Sequence, residues 1–148
     1  MLSRLLQNAL QDRHLWDEGL ALMKEALPLI PARKKERAER EINLGEFIRC
    51  AIITGTNVKR WWLLNNALVA SDSPKEALAL LDQIEALAKA EIANAENAIP
   101  FVEADSRLGW EPSMEYVTDK WHIEWKIRQV NYMLGEIQEF RDLVNLQI

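Results

Sequence analysis

A single cysteine, Cys50, excludes an intrachain disulfide framework, so packing alone must hold the fold. Five glycines and five prolines in 148 residues are too few for a loop-rich or many-turned β protein. No run approaches the ~20 apolar residues of a membrane span. Gln7, Asn8, Gln11 and Asp12 interrupt the N-terminal leucines where a secretion signal would carry its apolar stretch. An excess of positive charge is lacking too. A net charge of −5 and a pI near 5.1 leave no broad means of neutralising phosphates, which argues against a nucleic-acid partner. What is present is 49% hydrophobic and 28% charged, enough to fill a core and solvate a surface. The expectation is a soluble, cytoplasmic protein with one helical domain over residues 1–148.

Helical period dominates the chain. Trp16, Leu20, Met23, Leu27 and Ile30 recur at spacings of four and three, and Pro28 and Pro31 end that helix. Leu2, Leu5, Leu6, Ala9 and Leu10 continue a similar face upstream. A second, very long helix is predicted from Ala32 to Ala70, about 57 Å at ~1.5 Å per residue. Its charged start, Arg33 to Glu41, mixes both signs at i, i+4 and reads as a solvated face rather than a basic patch. Leu44, Ile48, Ala51, Ile52, Gly55, Val58 and Trp62 form its apolar stripe, and Thr54-Gly55-Thr56-Asn57 predicts a kink rather than a break. Because a helix of that length exceeds one compact layer, part of it should project or be covered by another subunit.

Ser73-Pro74-Lys75-Glu76 is a helix start, with a capping serine, proline in the first turn and glutamate three residues after the cap. Ala77, Leu80, Leu81, Ile84, Leu87 and Ala88 form the buried face of that third helix, which Pro100 is expected to close. Ile99 to Pro112 reads as an irregular but docked segment. A fourth helix is predicted from Ser113 to Asn145 on Ile123, Ile127, Val130, Leu134, Ile137, Phe140 and Val144. The fold class is all-α, a bundle of about four helices.

Chemistry-bearing clusters are few. His14, His122 and Cys50 fall on separate elements, and Asp119-x-x-His122 lacks the second copy that a di-iron bundle requires, so neither metal nor other cofactor is expected. Cys50 sits in an apolar stretch and reads as an inert buried thiol. Glu91 continues the face of Ile84 and Leu87, so it should be partly buried and paired with Arg107, Arg49 or Lys126. Of the six tryptophans, Trp121 and Trp125 are expected in the core, while periodicity leaves Trp61 and Trp110 unassigned. The pair Trp61-Trp62 beside Leu63 and Leu64 predicts self-association or an apolar patch awaiting a partner. Candidate binding residues are Asp105, Arg107, Trp110, Glu111, Glu91 and Trp61; no catalytic residue is assigned.

The stretches Ala90 to Pro100 and Val102 to Tyr116, with Trp121-His122-Ile123-Glu124-Trp125-Lys126, resemble the C-terminal helical region of large bacterial proteins. Those proteins are similar to α-glucuronidases and family 20 β-hexosaminidases. The resemblance covers about Asn43 to Gln129 and is strongest from Asp105 to Tyr116. It implies a helical region that follows a catalytic barrel in the same protein. A (β/α)₈ barrel takes about 250 residues, so the catalytic acids have no counterpart here. The implied role is a non-catalytic accessory domain of a glycan-degrading enzyme, either excised or free-standing. It would pack on a barrel, mediate oligomerisation or lend a loop to a glycan cleft. A stand-alone helical protein–protein interaction module is the alternative.

Overall fold

The computed structural model describes residues 2–105, 107–108, 110–111 and 116–146. Four helices account for nearly all of them: α1 (Leu2–Ala26), α2 (Ala32–Ala70), α3 (Pro74–Ala104) and α4 (Lys120–Asn145). A short 3-10 turn, Leu27–Leu29, carries Pro28 and links α1 to α2. Trp110–Glu111 (β1) and Tyr116–Val117 (β2) form a two-residue antiparallel ribbon between α3 and α4. The fold is an all-α bundle, as the hydrophobic period predicts. No helix among the described residues is long and apolar enough to cross a membrane.

Consecutive helices run antiparallel, which the cross-helix bonds show directly. Arg49 meets Asp17 and Glu46 meets Lys24 across α1 and α2. Asn57 and Thr54 meet Glu91, and Cys50 meets Asn94, across α2 and α3. Lys120 meets Glu103, and Arg141 meets Asp82 and Glu85, across α3 and α4. The chain is therefore a meander of three helical hairpins; short connections join α1 to α2 and α2 to α3, and a longer one that carries the β1–β2 ribbon joins α3 to α4.

α2 is shared between two partners, which is why one helix reaches 39 residues. Its Gly45 lies under Leu20 of α1, and the Trp16 indole donates to the Gly45 carbonyl at 2.9 Å. From Phe47 onward α2 also packs on the clusters that α3 builds, so the two contacts overlap around Phe47 to Cys50. Arg33 to Glu41 project beyond both contacts, exposed except for half-buried Ala38, with Arg40 and Glu36 paired at 2.8 Å. Thr54 to Asn57 do not interrupt the helix.

Two predicted boundaries move. α3 continues through Pro100 to Ala104. Proline removes one helical hydrogen bond, to the carbonyl of Glu96, but Glu96 and Pro100 both face solvent, where water can bond that carbonyl. Burial of Ala98 and Val102 on the other side keeps the face in contact with the core. α4 starts at Lys120 rather than Ser113. Asp119 is its cap, accepting from the His122 backbone N–H at 2.9 Å. Ser73 occupies the N-cap position of α3 without a side-chain capping bond.

The core has two apolar clusters. Cys50, Ala95, Ala98, Val102 and Ile123 form one, with Phe47, Ile99, Phe101, Leu108 and Ile127 packed around them. Leu81, Ile84 and Ile137 form the other, flanked by Trp61, Leu64, Leu68, Leu78, Met133 and Leu134. Along α2 and α3 a polar layer falls between them, joined from α4 by Lys126 beside Ile123 and Ile127.

Candidate functional site

The polar layer is built on two matching spacings. Thr54 and Asn57 lie three apart on α2, and Glu91 and Asn94 three apart on α3, so each pair projects from one face toward the other. Thr54 Oγ1 donates to Glu91 Oε1 at 2.6 Å, and Asn57 Nδ2 to Glu91 Oε2 at 2.6 Å. Lys126 of α4 completes the layer, its ammonium donating to Glu91 Oε1 and, at 3.2 Å, to Thr54 Oγ1. Asn94 Nδ2 donates to the Cys50 carbonyl and to Thr54 Oγ1, both at 3.0 Å. Glu91, Asn57 and Asn94 are buried, and every charge among them has an opposite partner. This is what a buried carboxylate needs to stay in a helical core.

A cleft of about 630 Å³ opens beside the layer, between α2, α3 and α4. Phe47, Ala51 and Gly55 line it from α2, Ala95 and Ala98 from α3, and Ile123 and Trp125 from α4. Asn94, Thr54 and Lys126 supply its polar wall. Cys50 also faces the cleft but is 5% exposed, and its burial pushes the thiol pKa up, away from the reactive thiolate.

Of the four candidate binding residues whose side chains are described, Asp105 and Arg107 meet, while Glu91 and Trp61 have other partners. Glu91 takes Lys126 as its cation, while Arg49 and Arg107 bond elsewhere. Asp105 and Arg107 pair with each other: two guanidinium bonds at 2.9 and 2.6 Å and the Arg107 backbone N–H at 3.0 Å all reach the Asp105 carboxylate. Those bonds hold the Asp105 pKa down to about 2. Trp61 is half-buried in the second apolar cluster, against Leu81 and Ile84. Trp110 and Glu111 contribute backbone pairing to β1; the side-chain roles expected for them, and for Gly109 and Pro112, lie outside the described residues. Leu108 does pack on the first cluster, so that part of the segment is docked.

Trp121 and Trp125 correct an expectation. They are 59% and 48% exposed rather than in the core. Each stands two residues from Ile123, about 200° around the helix, and the stripe Ile123–Ile127–Leu134–Ile137 already fills the inward side. Tyr132, 69% exposed, continues the outward line. No protein-family model, curated protein or solved structure matches the chain.

Among the described residues no group of three His, Cys, Asp or Glu side chains is arranged to hold a metal ion. Asp119 and His122 bond each other at 2.8 Å as part of the α4 cap. The residues missed from sequence were Thr54, Asn57 and Asn94. Their legible signal was the repeated spacing of three polar residues inside two apolar stripes.

Proposed function

We propose that the chain is a non-catalytic helical accessory domain of a bacterial glycan-degrading enzyme, which packs on the catalytic barrel through the outward face of α4. The observation that carries this reading is the line Trp121, Trp125 and Tyr132, three aromatic side chains exposed at i, i+4 and i+11. Large amphipathic rings are the usual anchors of protein interfaces, because they bury much area for little side-chain entropy. The resemblance of Asp105 to Tyr116 and of Trp121 to Lys126 to barrel-associated helical regions supplies the partner. Under this reading the layer around Glu91 is structural and sets helix register. The test is to co-express the chain with the barrel encoded in its natural reading frame. Trp121→Ala with Trp125→Ala should weaken the co-purifying complex about tenfold or more. Unchanged association, or a reading frame without a barrel, sinks the proposal.

A second reading, a stand-alone interaction module that self-associates, has its own observation. Val58, Trp62 and Val69 are exposed on α2 at the same i, i+4, i+11 spacing. A second apolar line on another helix suits pairing between copies. Sedimentation of the isolated chain should then show a dimer that Trp62→Glu dissolves.

A further inference from the structure

We propose that the cleft between α2, α3 and α4 binds a small uncharged molecule with a ring-sized apolar body and a hydroxyl or amide head seated on Asn94 and Lys126. Three observations carry this, independently of the accessory-domain reading. The first is space. The cleft's volume of about 630 Å³ lies within the range that small-molecule sites occupy. Small residues create it: Ala51, Gly55, Ala95 and Ala98 line it where larger side chains would close it. A Cβ built on Gly55 meets no atom within 4 Å.

The second is unused hydrogen-bonding capacity at one wall. Lys126 has three N–H donors, of which Glu91 and Thr54 take two. Asn94 spends its amide nitrogen on the Cys50 carbonyl and Thr54, and its Oδ1 accepts from no other described residue; no described side-chain polar atom is both sealed from solvent and unpartnered, so this oxygen is open to water at the cleft wall that Asn94 lines. A hydroxyl or primary amide offers both an acceptor and a donor, which suits the third ammonium N–H and the amide oxygen together. The third observation is charge. Glu91 and Lys126 already neutralise each other at the polar wall. A charged ligand would bring an uncompensated charge into a partly desolvated wall, so the site selects against carboxylates and amines. Phe47, Ile123 and the half-exposed Trp125 then cover the apolar body.

The test uses four probes on one ring: benzyl alcohol, benzamide, benzoate and benzylamine. Titrations are followed by NMR at the Asn94 side-chain amide and the Trp125 indole N–H. The two neutral probes should give saturable shifts at both groups, with the charged probes binding about tenfold more weakly or worse. Ala51→Leu and Gly55→Leu should each fill the cleft and abolish those shifts while helical circular dichroism is retained. Both positions are exposed, and leucine favours helix over the glycine it replaces, so at least the second variant keeps the fold. Equal binding by charged probes, unchanged binding by the filled variants, equal shifts at the Trp62 indole, or no saturation with any probe each overturns the proposal.

Discussion

Glu91 is the residue on which three helices agree. Its carboxylate accepts from Thr54 and Asn57 of α2 and from Lys126 of α4, which ties the register of the three helices together. Removing it strands a lysine and an asparagine donor at once. Glu91→Ala should therefore cost about 2–4 kcal/mol in urea unfolding, at the lower end of buried ion-pair loss because Lys126 keeps some contact with water. Thr54→Val, which leaves the ion pair standing, should cost only about 1 kcal/mol. Asp105 behaves differently, since its pair with Arg107 lies at the surface. Its folded pKa of about 2 is below the ordinary 3.8, so the pair's contribution is complete above pH 3.8 and is lost as pH falls through about 2. Carboxyl NMR titration should show that low midpoint, and Arg107→Ala should return it toward 3.8.

At the scale of elements, α2 is shared between α1 and α3. Gly45 allows Leu20 to lie so close that an ideal Cβ there would sit 2.5 Å from Leu20 Cδ2. Two opposed terms follow. Alanine at position 45 gains about 1 kcal/mol of helix propensity, but it must push aside a buried leucine. Leu20→Ala alone should cost about 2–3 kcal/mol, the usual loss for a buried leucine whose site partly collapses. In that background the obstacle is gone, and adding Gly45→Ala should recover about 1 kcal/mol. In the wild-type background the same change should bring little or no gain. A double-mutant cycle measured by thermal unfolding would read this coupling directly. α3 shows the converse case, a helix that tolerates its proline because Pro100 faces water.

For the molecule as a whole, the meander makes stability uneven. α3 packs on both α2 and α4, whereas α1 has α2 and the 3-10 turn as its substantial contacts. Of the α1 side chains whose burial is described, most are exposed; Leu20 is buried, and Ala9, Arg13, Trp16 and Asp17 are half-buried. Native-state hydrogen exchange should accordingly find Leu81, Ile84 and Leu87 protected to the level of global unfolding. Residues 7–13 of α1 should exchange through local fraying. Uniform protection across all four helices would contradict this ranking and imply that α1 has a cover not provided by the chain itself. The outward lines on α2 and α4 act at this scale too, because each presents apolar area that a partner or second copy can bury.

Period and punctuation in the sequence determined four helices, the proline-marked turn after α1 and the Ser73-Pro74 start of α3. These are local properties: 3.6-residue spacing, a missing N–H, a restricted φ. The burial of Glu91 was legible on the same ground, since it continues the Ile84–Leu87 face. Its partner was not. Arg49, Arg107 and Lys126 were equally eligible cations, and only packing brought Lys126 to it while Asp17 and Asp105 engaged the other two. Trp121 and Trp125 went the same way: hydrophobicity marked them for the core, but the isoleucine stripe had already filled α4's inward side. The cleft was invisible for a related reason. Alanine and glycine are unremarkable along a helix, and become a cavity only where three helices bring them together.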